Sequence, residues 1–232
     1  MGTPFRRILG AVLLAAALAP AAQAMELRQV GDTLVMSGAV DSNVLVRLRN
    51  HLASHEVKLV LLHESPGGDL WSGYQVGNRI RDEGLPTAVS GKCESACGLI
   101  FLAGVERSFS DGRPLADTMV GLHGAHSAGS RQPLPELSPR MAWMIRTMTD
   151  RKYPDDLLRR TVYTRNAEDI VYAFHPARYE ASGRGVVECL KQEVNFKCSM
   201  LPGLDALGIG VITNPEVMAL PEDVKQLLQP SS

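Results

Sequence analysis

The chain has 232 residues, 45% of them hydrophobic, with 24 Lys and Arg against 25 Asp and Glu and a formal charge of −1. That balance leaves no basic footprint, so nucleic acid is not an expected partner. The length suits one domain with a sizeable core, or one domain with a small appendage.

In chain order, Arg6 and Arg7 precede an apolar run over 8–19 and then Ala22-Gln23-Ala24, a small-x-small site. These are the three parts of a secretory signal peptide. The apolar run is about 12 residues, short of the roughly 20 that cross a membrane. Residues 1–24 are therefore expected to be a cleaved leader. The mature chain would begin at Met25, be periplasmic or secreted, and hold no stable membrane span.

A strand is predicted over 33–39. Asp41 or Ser42 then caps a helix to 55, with Val44, Leu45, Leu48 and Leu52 on one face. The apolar run 57–63 reads as a buried parallel strand. Ser65-Pro-Gly-Gly68 breaks it, and 69–83 has helical spacing that Gly84 stops. A strand over 86–90, a turn entering a helix that ends near Ala103, and strands over 107–110 and 118–123 follow. Residues 124–137, rich in Gly, Ser and Pro, read as a mobile loop. Helices are predicted over 138–151 and 154–163, with shorter ones over 166–173 and 222–228. The strand–helix alternation predicts an α/β fold with a mostly parallel sheet flanked by helices. Residues 25–173 would form the main domain, and 174–232 a small β-like C-terminal appendage and tail.

The four cysteines are Cys93, Cys97, Cys189 and Cys198. In an oxidising compartment they are expected to pair. Four cysteines allow three connectivities; proximity along the chain favours Cys93–Cys97 and Cys189–Cys198.

Three segments carry chemistry. Gly67 and Gly68 sit between a strand and a helix, where backbone N–H groups can face a negative oxygen. Ser95 sits at a second strand-to-helix turn among small residues, with the Ala96 N–H beside it; the bland alternative is a helix-capping serine. His123 ends a strand at the same sheet edge and can serve as the base a serine nucleophile needs. His126 is the alternative base.

Residues 59–73, containing Ser65-Pro-Gly-Gly68, resemble the oxyanion loop of the Clp protease proteolytic subunit and its crotonase-like superfamily. Residues 91–104, with Cys93-Glu-Ser-Ala-Cys97, resemble its nucleophile segment, and Val120-Gly-Leu-His123 its general-base segment. The likeness is nearest to exported relatives bearing Cys-x-Ser-Ala-Cys. It covers roughly 33–126 well and the rest loosely. It implies a Clp/crotonase-like spiral of ββα units, Ser95 as nucleophile, His123 as base, and Gly67, Gly68 and Ala96 around the oxyanion.

The family's acidic third residue has no clear counterpart. Asp169 is the nearest carboxylate, Asn166 is an amide that could orient a histidine, and a Ser–His dyad is a further option. Lys92 would serve a Ser–Lys variant. His51 and His55 have helical metal-ligand spacing with no third ligand evident, so no metal is expected. Ser–His hydrolysis needs no cofactor.

The function expected is a serine peptidase or related hydrolase acting on a peptide or protein, with self-association implied by the resemblance. The rivals are a catalytically silent scaffold that binds a partner protein, and acyl-CoA chemistry, which export disfavours.

Overall fold

The computed structural model describes residues 23–179 and 185–229. The expected leader, 1–24, therefore falls outside the described residues except at its last two positions. There Ala24 bridges Ala39, and the Met25 N–H donates to the Ala39 carbonyl at 2.7 Å. Met25 is 1% exposed, so the expected mature terminus is anchored in the core.

The elements are β1 (Glu26–Val30), β2 (Thr33–Ser37), α1 (Val44–Ser54), β3 (Leu59–Ser65), α2 (Leu70–Asp82), β4 (Thr87–Glu94) and α3 (Ala96–Leu102), then β5 (Arg107–Phe109), β6 (Met119–Leu122), α4 (Ser138–Met148), α5 (Asp155–Val162), β7 (Ile170–Ala173), β8 (Gly185–Lys191), β9 (Phe196–Asp205) and α6 (Glu222–Leu227). The strands form one sheet ordered β1-β2-β3-β4-β6-β7-β8-β9, with β5 paired to β4. Pairing is parallel from β2 through β6 and antiparallel at both ends. The expected α/β class, a parallel sheet flanked by helices, is the one observed.

Period-two alternation distributes the sheet residues between two apolar layers. Leu34, Met36, Val60, Leu62, Val89 and Cys93 face the main core with α2 and α3. Val35, Leu61 and Ala88 point the other way, onto Leu220, Val224 and Leu228 of the C-terminal segment. Residues 185–205 extend the sheet beyond β7, and 218–228 return to cover β2–β4.

Arg107 holds that return. It is 2% exposed, and its guanidinium donates to the carbonyls of Gly104, Gly210 and Val211 at 2.8, 2.9 and 3.0 Å. Its backbone closes the same junction through Thr213 and Asn214.

One predicted element is corrected. Residues 166–173 are not a helix: Ile170–Ala173 is β7, pairing antiparallel with β6. The β-branched and aromatic run Ile-Val-Tyr suits a pleated strand, and β6 and β8 offer it partners on both sides. In addition, β4 continues past 90 as far as Glu94, so the turn before α3 tightens to Ser95 alone.

Candidate active site

Ser95 joins β4 to α3 with φ 58° and ψ −124°, a conformation costly for a residue with a Cβ. Its N–H donates to the Gly121 carbonyl at 2.8 Å, which ties the turn to β6. Small residues permit the close approach. A Cβ at Gly98 of α3 would stand 2.9 Å from the Gly121 carbonyl oxygen, and one at Gly73 of α2 would stand 2.9 Å from Ala96 Cβ. Ser95 occupies the capping position of α3, yet its side chain makes no capping hydrogen bond. The ordinary capping-serine alternative therefore fails. Among the described residues its half-buried hydroxyl has no hydrogen-bond partner.

The glycine loop lies against this turn. Gly67 has φ 82°, and a Cβ there would stand 2.5 Å from Ser95 Cβ and 2.9 Å from Ala96 N. Gly68 has φ 146°, and its Cβ would collide with the Val40 carbonyl oxygen at 2.2 Å. The loop is clamped to the segment before α1: Val40 N–H donates to the Gly67 carbonyl and Asp69 N–H to the Val40 carbonyl, both at 2.8 Å. Ser65 Oγ donates to the Gly38 carbonyl and accepts from Gly67 N–H at 3.3 Å.

Of the three expected oxyanion donors, Gly67 is thus already engaged, and its contribution is the room it leaves beside Ser95. The N–H groups of Gly68 and Ala96 have no acceptor among the described residues. Ala96 opens α3, so its N–H is one of those a helix start leaves unpaired.

Cys93 at the end of β4 and Cys97 in α3 form a disulfide across the Ser95 turn, with Cα atoms 5.2 Å apart and both residues fully buried. Cys189 and Cys198 form the second, cross-linking β8 and β9. Both pairings follow the proximity expected from sequence, and such bridges suit an oxidising compartment.

His123 follows β6 directly. Its Nδ1 lies 2.7 Å from the Gly124 carbonyl oxygen. Burial, with smaller contributions from His126 and Arg131, lowers its pKa to about 4. His126 stacks on it, with ring centroids 5.3 Å apart and planes 10° from parallel. No hydrogen bond joins either histidine to Ser95 among the described residues.

The expected third member is placed otherwise. Asp169 is 5% exposed, and its carboxylate accepts the N–H groups of Arg165, Asn166 and Lys191 at 3.2, 3.1 and 2.8 Å. It closes the loop before β7 and ties it to β8, and it makes no hydrogen bond to a histidine. Asn166 reaches the Lys191 carbonyl at 3.5 Å instead of an imidazole. Lys92 is exposed beside Glu64.

Residues 125–134 form a hydrogen-bonded turn: Ser127 N–H donates to Gln132 and Leu134 N–H to Ala125. His51 stacks on His55 at 4.2 Å, and no group of three potential metal ligands occurs among the described residues. A cavity of about 830 Å³ between β1 and α1, lined by Met25, Arg28, Arg47, His51 and His55 among others, includes none of the Ser95 site residues.

Sequence reasoning missed Glu94 and Tyr172. The Tyr172 hydroxyl donates to the Glu94 carboxylate at 2.8 Å across Gly121, where a Cβ would press on both side chains. Burial and the facing carboxylate raise the Tyr172 pKa. The clue in sequence is a glycine in the middle of a strand.

No family model and no curated protein sequence matches the chain. Among solved structures, a membrane-bound stomatin-specific protease superposes with a TM-score of 0.46 at 13% identity, over 83% of this chain and 80% of its own. A Pseudomonas aeruginosa protein gives 0.45 at 12% identity over 91% and 83%. A probable enoyl-CoA hydratase of Mycobacterium tuberculosis gives 0.43 at 9% identity over 88% and 77%.

Proposed function

We propose that the chain is an exported serine hydrolase of the Clp-protease/crotonase type, cleaving peptide or protein acyl bonds through Ser95. The observation that carries the reading is the Ser95 turn: a positive φ at a strand–helix junction and a hydroxyl that caps nothing. The N–H groups of Ala96, next in the chain, and of Gly68, next to the glycine that packs on Ser95, have no acceptor among the described residues.

In this reading, Ser95 Oγ attacks the acyl carbon and His123 takes its proton. The tetrahedral oxygen is held by Gly68 and Ala96 N–H, donors worth roughly 3–4 kcal/mol each in such sites. His123 returns the proton to the leaving amine, and a water, deprotonated by His123, resolves the acyl-enzyme. Burial keeps the imidazole neutral and available, but the same burial opposes the imidazolium that must form. The Gly124 carbonyl on Nδ1 offsets part of that cost. Periplasmic or secreted location and self-association belong to the same proposal; fractionation and sedimentation of the purified chain test them.

A catalytically silent scaffold that binds a partner protein is the second reading. It is favoured by the missing Ser95–His123 hydrogen bond, although such bonds are often long before substrate binds. Labelling with a fluorophosphonate separates the two. Labelling lost in Ser95→Ala and in His123→Ala supports the hydrolase, whereas a folded protein that takes no label supports the scaffold.

A further inference from the structure

We infer that the group orienting His123 is the main-chain carbonyl of Gly124, so that the site is a serine, a histidine and a backbone oxygen, with no acidic residue among those described taking that role. This rests on the reading of Ser95 and His123 as nucleophile and base.

A carbonyl oxygen only accepts, so at 2.7 Å His123 Nδ1 must carry the proton. A neutral imidazole protonated at Nδ1 has its lone pair at Nε2. That is the tautomer a triad aspartate enforces when it accepts from Nδ1 of its histidine. Here the role falls to an atom fixed by the fold. Gly124 is buried, and a Cβ on it would stand 2.7 Å from both Thr164 Oγ1 and the Val162 carbonyl oxygen. The end of α5 therefore holds Gly124, and Gly124 holds the ring.

The stacked face of His126 limits rotation of the imidazole. The carboxylate expected as the third member, Asp169, is engaged by three backbone N–H groups and is unavailable for the task. His126 lies face to face with His123 and shares no hydrogen bond with it among the described residues; the other charged group acting on His123, Arg131, has no acceptor to offer Nδ1.

The decisive variant replaces the Gly124–Ala125 amide by an ester. The ester carbonyl is a weaker acceptor, no side chain changes, and the lost Ala125 N–H donates to nothing among the described residues. Three measurements are made on wild type, on the ester and on Asp169→Asn: fluorophosphonate labelling rate against pH, the 15N shifts of His123, and thermal stability. Wild type is expected to show a protonated Nδ1 and a bare Nε2. The ester should keep its melting temperature, show a mixed tautomer population, and label about tenfold more slowly, the worth of one weakened hydrogen bond. Asp169→Asn should melt earlier with the His123 tautomer unchanged.

A wild-type His123 protonated at Nε2 would overturn the assignment. So would an ester that labels at the wild-type rate, or a folded Asp169→Asn that shows a changed tautomer. If wild type takes no label, the hydrolase reading fails, and the 15N shifts still decide what holds the ring.

Discussion

Gly67 and Ser95 are in contact across the site: a methyl group on Gly67 would stand 2.5 Å from Ser95 Cβ. With φ at 82°, Gly67 also holds a backbone conformation closed to most residues. Gly67→Ala should therefore cost about 2 kcal/mol or more of stability and displace the nucleophile turn. Urea titration and fluorophosphonate labelling of the folded fraction check this; stability and labelling like wild type would contradict the packing described.

The strain at Ser95 predicts an opposite effect. Ser95→Gly removes the Cβ from a positive-φ position, so it should raise stability by up to about 1 kcal/mol while ending all labelling. Ser95→Ala keeps the Cβ and should end labelling without that gain. Melting temperatures of the two variants, measured side by side, separate strain from chemistry.

The disulfide across the turn contributes in its own way. Its loop is short, so removing it with Cys93→Ser and Cys97→Ser should cost about 2 kcal/mol by chain entropy. Labelling should fall further than stability, because the bridge joins the two elements that set Ser95. A double variant that labels at full rate when folded would show that the turn holds its shape without the bridge.

Acid should act on His123 in two ways. Its folded pKa, about 4, lies below its ordinary value of 6.5. The unfolded chain thus binds the extra proton first, and stability present above pH 6.5 is lost as pH falls toward 4. The labelling rate should hold through pH 6 and fall in a limb near 4. A limb near 6.5, seen in a rate–pH profile, would show an imidazole in open contact with water.

Much of this site was legible in the residues because small and turn-forming types have few physical uses. Gly67 and Gly68 after an apolar run, and Ser95 between Glu94 and Ala96, place two strand ends side by side. Four cysteines in two close pairs point to their own connectivity. What was not legible depends on partners distant in sequence or on atoms common to every residue. Residues 166–173 suit a helix or a strand until β6 and β8 supply hydrogen-bond partners. Asp169 is a carboxylate in a suitable place, but one of its three N–H donors is 22 residues away at Lys191. The Gly124 carbonyl leaves no mark, since every residue carries that oxygen.

Arg107 is buried enough that its pKa falls to about 10, and it remains a cation whose acceptors include carbonyls 103 and 104 residues further along. Arg107→Met should leave those oxygens without donors and cost about 3 kcal/mol. Arg107→Lys should rescue little, because an ammonium lacks the planar fork. Denaturant midpoints of both variants test this.

The same spacing sets a schedule for synthesis. At roughly 5–20 residues per second, β5 leaves the ribosome some 5–20 s before the Gly210 and Val211 carbonyls exist. Throughout that interval a hydrated guanidinium stands where the finished core will be. The latch cannot close before Val211 is made, so until then the junction between β5 and the C-terminal return stays open, a state compatible with the threading that the proposed export requires.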